Sequence, residues 1–238
     1  DCLNSLVKAN PCEVATEIIL VLNRSEHASI DEIEQNEKTK LDVNLWVEEG
    51  LPASWSCHLV CPDPFPRSKS GPGLARKIGM DIAIRRFSQL DRKDGLIVSM
   101  DADTKVDGNY FTALINHFQS QKRANACTVY FEHLRSPGGD VDRNNKAVID
   151  YELYLRMVKV GLRWAGYPMA IHTLGSAFAV RASAYVKAGG MGVQQSGEDF
   201  YFLHKTIQLG DFWEINEARV YPSGRESDRV LFGTGPFI

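Results

Sequence analysis

Apolar residues along the chain follow two spacings, and the spacing changes several times from one end to the other. Short apolar runs at residues 17–22, 57–61, 96–100, 126–131 and 177–180, each bounded by polar or turn residues, read as strands. Between most of them the period lengthens. Leu74, Ile78 and Ile82 fall on one helical face, as do Tyr110, Leu114 and Phe118, then Val148, Tyr151, Leu155 and Val158, and lastly Phe200, Leu203 and Ile207. This alternation predicts one α/β domain over residues 1–238 with a largely parallel, helix-covered sheet. Ligands of such sheets sit beyond the carboxyl ends of the strands, so the residues that follow each strand are the first to inspect. The intervals 62–73, 135–145 and 221–235 are rich in Pro, Gly and charge and read as loops.

Composition narrows the partners. A chain of 238 residues, 44% hydrophobic and 24% charged, can bury a full core. Its net charge of -3 is spread without long runs of one sign, which argues against nucleic acid and against anionic lipid held by a polybasic segment. The longest plain apolar stretch, 18–22, is too short to span a bilayer. Five scattered cysteines do not form a disulfide framework, and the expected setting is a reducing, cytoplasmic one.

The strand at 96–100 ends directly in Asp101-Ala102-Asp103. Extended backbone puts residues two apart on one side, so both carboxylates can converge on one ligand while Ala102 leaves room. Two close carboxylates repel unless a cation joins them. A hard ion such as Mg²⁺ or Mn²⁺ suits these oxygens and completes its shell with phosphate and water, which points to a nucleotide diphosphate. A second acidic pair lies further on, where Gly189-Gly190-Met191 leads to Ser196-Gly197-Glu198-Asp199 ahead of a helix. Ser196 and Asp199 also have the spacing of a capping box, so a purely structural role for Asp199 stands beside a catalytic one.

Taken in order, these pieces resemble the family 2 glycosyltransferases of GT-A fold. The stretch 17–21 resembles the family's second strand, Ala75-Arg76-Lys77-Ile78-Gly79 its helix after the third, and Ser99-Met100-Asp101-Ala102-Asp103 its D-x-D strand. The stretches 175–181, 188–191 and 197–199 resemble the segments that close its active site. The resemblance implies inverting transfer from a nucleotide-sugar donor to a hydroxyl on a glycan, lipid or other acceptor. It assigns Asp101 to the nucleoside part of the donor, Asp103 to the Mn²⁺ or Mg²⁺ ion and Asp199 to the general base. Glu198, Gly175 and Ser176 fall in the sugar or acceptor pocket. The family's first strand is not recognisable, so the sequence is expected to continue upstream of Asp1.

Other positions stay open between two readings. Where the family usually carries acidic residues after its second strand, this chain has Leu22-Asn23-Arg24-Ser25, of which Asn23 can hydrogen-bond a nucleobase. Arg76 opposes the dipole of the helix it opens, which a donor diphosphate explains and an ordinary solvated charge also explains. Arg225 and Arg229, in the turn-rich 221–235, can close over the donor as a lid or simply pair with Glu226 and Asp228. Trp164, Tyr167 and Trp213 offer flat faces for an acceptor sugar or plain packing surface. Cys57-His58-x-x-Cys61 matches no common zinc spacing and reads as buried strand. A nucleotidyltransferase and a non-catalytic sugar- or nucleotide-binding module are the rival functions.

Overall fold

The computed structural model describes residues 1–9, 14–134 and 141–225, without the side chains of 141–144. Arg229, most of the expected lid and Cys12 lie outside the described residues. Along the chain run α1 (Cys2–Lys8), β1 (Thr16–Val21), α2 (Ile30–Glu48), β2 (Trp55–Val60), α3 (Pro72–Gln89), β3 (Leu96–Ser99) and β4 (Lys105–Val106). Then follow α4 (Tyr110–Ser120), β5 (Ala126–Phe131), α5 (Val141–Trp164), β6 (Phe178–Arg181), α6 (Ala182–Lys187), α7 (Glu198–Ile207) and β7 (Phe212–Tyr221). Each strand expected from the sequence is present within a residue or two of its expected ends.

The sheet is mixed, which corrects the expectation of a mostly parallel one. Strands β1 and β2 pair in parallel by themselves, and the remaining five lie in the order β3-β6-β5-β7-β4. Only β5 and β7 are parallel there; β3–β6, β5–β6 and β4–β7 are antiparallel. A parallel neighbour needs a crossover that returns the chain to the strand's starting end. The chain after β5 makes no such return before β6. It re-enters the sheet at the end it left, with Val129 N–H donating to Ala177 C=O, so β6 runs back against β5.

The apolar pattern hid α2, β4, α6 and, most consequentially for the sheet, β7. Its inward residues Ile215, Ala218 and Val220 alternate with Glu214, Glu217 and Arg219, and its pairing with β5 slips between Val129 and Tyr130. That irregularity breaks the period of two on which strand recognition rests.

One core lies between α4 and the sheet, where Tyr110, Leu114 and Phe118 meet Cys127, Val129, Phe131, Ile215 and Val220. A second forms beneath α3, α6 and α7 around Met80, Ile97, Phe178, Tyr185, Phe202 and Leu203. The outer edges of β1 and β3 have no strand partner among the described residues, and a cavity of about 2500 Å³ opens between them, bounded by α1 and α3. Helix α3 links the two sheets. Its Gly79 lets Val21 of β1 approach closely, while Met80 packs with Ile97 of β3.

Candidate active site

Strand β3 ends in the turn that presents both aspartates, closed by Thr104 N–H donating to Asp101 C=O at 3.0 Å. The strand is fixed there by Ser99, whose buried hydroxyl donates to the Gly175 carbonyl at 2.6 Å. This contact brings the segment before β6 against the end of β3. On the other side, residues 192–195 lie across the start of α3. A side chain at Gly71 or Gly73 would run into the backbone of Gln195 or Gln194. The packing delivers the start of α7 to the first turns of α3, and Glu198 to Arg76.

Arg76 is the hub. Its guanidinium binds Asp101 through one nitrogen and Glu198 through another, with only 12% of the side chain exposed. A Cβ at Gly175 would overlap that guanidinium, so any side chain there would have to displace it. The open question about Arg76 is thereby answered in part: it is no solvated surface charge, and its immediate anions are protein carboxylates. Burial alone would weaken its charge, but Asp101, Glu198 and Asp199 outweigh this and hold the arginine more firmly protonated than usual. Among the described residues its Nε has no hydrogen-bond partner.

Asp199 begins α7 beside this pair. Its Oδ1 accepts from the Phe200 backbone N–H at 2.7 Å. Burial pushes its carboxyl above the usual range, with Arg76 and the Phe200 N–H pulling the other way and Asp101 adding to the rise. Glu198, almost fully buried, is also pushed up, by burial first and then by Asp199, against the pull of Arg76. The capping-box reading of Ser196 and Asp199 is corrected. The residue that caps α7 is Gly197, with φ of 74°, and no side chain caps the helix. A serine two residues from the first helical position is too early to close the box.

Asp103 sits on the open side, where Arg225 donates to its Oδ2 at 3.0 Å. The side chains of Asp101 and Asp103 are 43% and 40% exposed, so both retain oxygens for an ion at the cavity mouth. No group of three or more His, Cys, Asp or Glu gathers for a metal among the described residues. Asp101 and Asp103 alone would leave a hard ion most of its shell to fill from phosphate and water. Cys57 and His58 lie along β2, where His58 faces Glu17 at 3.9 Å. Cys2, Cys57, Cys61 and Cys127 are free thiols.

Of the other expected residues, Asn23, Gly175, Ser176, Arg225 and Tyr167 line the cavity together with Asp101, Asp103, Glu198 and Asp199. Asn23 is held by its carbonyl, which accepts from Asn36 at 3.1 Å. Trp164 stands apart, 91% exposed at the end of α5, and Trp213 packs on His117 instead. His172, His204 and Phe200 also line the cavity, although the sequence assigned none of them to the site. His204 stacks on Phe200 with ring centroids 4.0 Å apart, and burial pushes His172 down to about 4. A lone histidine in a loop carries no sequence signal. For His204 the signal was the four-residue step from Phe200.

No protein-family model matches the sequence. No curated protein matches it either. Among solved structures, the chain is similar to residues 1–349 of TarS from S. aureus, with a TM-score of 0.56 at 10% identity, over 94% of this chain and 56% of that one. The chain thus spans little more than half of that structure, and what the likeness establishes is an α/β fold of the GT-A type.

Proposed function

We propose that this chain is a glycosyltransferase domain that moves a sugar from a nucleotide-diphosphate donor to an acceptor hydroxyl with inversion. The observation that carries the reading is the gathering of Asp101, Asp103, Glu198 and Asp199 from two distant segments around one cavity mouth, tied by Arg76 and Arg225. The GT-A-type fold supports it. The free thiols accord with a cytoplasmic setting.

In this reading Asn23 and Asp101 hold the nucleoside, and the diphosphate lies between Arg76 and Arg225. Asp101 and Asp103 would hold Mn²⁺ or Mg²⁺. The ion, when bound, neutralises charge on the leaving diphosphate. Asp199 takes the proton from the acceptor oxygen as that oxygen bonds to the anomeric carbon and the carbon–diphosphate bond breaks. The raised carboxyl of Asp199 suits a base better than an ordinary aspartate would. Glu198, clamped by Arg76, fixes the start of α7 and so the position of Asp199.

The test is a thermal-shift panel of nucleoside diphosphates and nucleotide sugars with and without Mn²⁺, followed by turnover with acceptors. A ligand that binds the native state raises its apparent stability. A Mn²⁺-dependent shift by one nucleoside diphosphate is expected. Equal shifts with Mn²⁺ and with excess EDTA would remove the metal from the reading. Binding without turnover across donors and acceptors would favour a binding module.

A further inference from the structure

Helix α5 meets the fold through polar and apolar residues together, and it leaves a second apolar stripe outside. Its polar residues turn toward the fold: Arg156 donates to the Tyr130 hydroxyl and the Phe131 carbonyl at 3.0 Å, and Arg163 reaches Glu214 at 2.6 Å with Lys159 beside it. Glu152 accepts from the His133 backbone at 2.6 Å and pairs with Arg156. Of the apolar residues, Val148 is buried and Leu155 packs against the α4 core, while others line the cavity or face outward. Tyr151, Leu155, Val158 and Leu162 line the same cavity as Asp199. Ile149, Leu153, Met157, Val160 and Trp164 are 42%, 54%, 64%, 65% and 91% exposed. At 100° per residue these five fall within an arc of about 80°, a continuous stripe along the helix.

An ordinary surface helix carries polar residues where this stripe lies. Leaving an apolar stripe of this length in water forfeits the burial that usually drives such a helix onto its core. The occupant can be read from what the stripe adjoins. Around α5 the polar strip toward β5 and β7 flanks the exposed stripe on one side, and exposed Asp150, Gly161 and Tyr154 separate it from the cavity-lining residues on the other. At its C-terminal end the stripe reaches Trp164, and just beyond it Tyr167 stands 6.4 Å from His204, which stacks on Phe200 beside Asp199. Exposed Phe200 and Tyr201 extend the aromatic rim. An apolar path thus runs from the candidate base to the outer face of α5. Aromatic side chains at its end are those that favour the boundary between headgroups and hydrocarbon. No helix among the described residues is long and apolar enough to cross a membrane, so any contact of α5 with lipid would be along a surface.

We propose that the acceptor is amphiphilic, its hydroxyl-bearing head at Asp199 and its hydrocarbon along α5, and that α5 rests on the lipid surface that presents it. The acceptor assignment rests on the transferase reading above; the lipid contact does not. Attachment is apolar rather than electrostatic, because Arg156, Lys159 and Arg163 are engaged with Glu152 and Glu214. Lys146, one turn earlier on the exposed side, has a stem long enough to bring its charge to the headgroups.

Flotation of the whole chain with phosphatidylcholine vesicles, without donor or metal, tests the surface. Wild type is expected to float with the vesicles, with little sensitivity to salt, and M157E/V160E to float at least about tenfold less while keeping its circular dichroism. Leu153→Asn, a milder change, is expected to fall between them. Absence of wild-type flotation, or equal flotation of the double variant, overturns the proposal. A wild-type dimer that M157E/V160E turns into a monomer, with no vesicle binding by either, also overturns it and gives the stripe to a second copy. For the acceptor, turnover on one hydroxyl compound is compared with and without a twelve-carbon chain. A preference for the alkylated form that disappears in M157E/V160E is expected, and equal rates overturn the assignment. Nucleotide binding measured alongside separates the failures: if wild type binds no nucleoside diphosphate with Mn²⁺, the transferase reading falls and the acceptor assignment with it, whatever the vesicles show.

Discussion

The two arginines that tie the acidic residues together work in opposite environments. Arg76 is enclosed, engages Asp101 and Glu198 at once, and has Gly175 cleared to make room for it. Arg225 reaches Asp103 alone, and its side chain is 60% exposed. Breaking an enclosed pair leaves an uncompensated charge away from water, whereas an exposed pair exchanges one partner for solvent at little cost. The enclosed side of the site is therefore built to hold a geometry. The open side is built to change partners.

That contrast is tested most severely at Asp199, which the enclosed side positions. Asp199→Asn keeps size and hydrogen-bonding capacity but removes the base. Turnover should fall by roughly two to four orders of magnitude, with donor binding intact. Steady-state rates normalised to folded protein check it, and near-wild-type turnover would leave Asp199 with a structural role. The pH profile sharpens the point. Since the carboxyl lies above the ordinary 3.8, the basic form, and with it kcat, should be lost on acidification at a higher pH than an ordinary aspartate would give. The stability contribution has the opposite sense. A carboxyl raised by folding favours the native state below its unfolded value, and this contribution is lost as pH rises through the folded value.

Arg76→Ala should cost about 3–5 kcal/mol, the scale for removing one partner of an enclosed ion pair. Chemical denaturation at neutral pH measures it. Gly175→Ala should destabilise in the same direction by displacing the guanidinium. Arg76→Met separates charge from packing. It keeps an apolar side chain of comparable reach but leaves Glu198 unpaired, so its deficit should shrink as pH is lowered and Glu198 takes up a proton. A deficit independent of pH would show that Arg76 acts through volume alone.

Both sides were legible in the sequence to different depths. The Asp pair and Glu198-Asp199 could be found because each follows or opens a regular element and carries its own local pattern. What joins them could not. The clamp of Arg76 on Glu198 spans residues 122 positions apart, and it depends on residues 192–195 crossing the start of α3 over Gly71 and Gly73. Spacing rules do not reach that far. Sheet polarity failed for a related reason, since the direction of β6 is set by where the chain re-enters the sheet. The apolar pattern of α5 was visible as helix, but periodicity alone does not say which side of a helix meets the fold. Val148, Tyr151, Leu155 and Val158 gave its period and only part of its orientation.

The smallest expected effect lies on the open side and completes the contrast. Arg225→Ala should change stability by no more than about 1 kcal/mol, because an exposed pair contributes about that much or less. Its effect on ligands should be divided. An ion entering Asp103 must first displace Arg225, so the variant should bind Mn²⁺ alone somewhat more tightly, by at most about fivefold if the lost pair is worth up to about 1 kcal/mol. The same variant lacks a cation for the diphosphate and should bind a nucleoside diphosphate with Mn²⁺ more weakly than wild type. Calorimetric titration with Mn²⁺ alone, then with the nucleotide at saturating Mn²⁺, reads both. Opposite changes in the two titrations identify Arg225 as a residue that trades a carboxylate for a phosphate. Weaker binding in both would mean that Arg225 holds Asp103 in place instead, and that the open side is as fixed as the enclosed one.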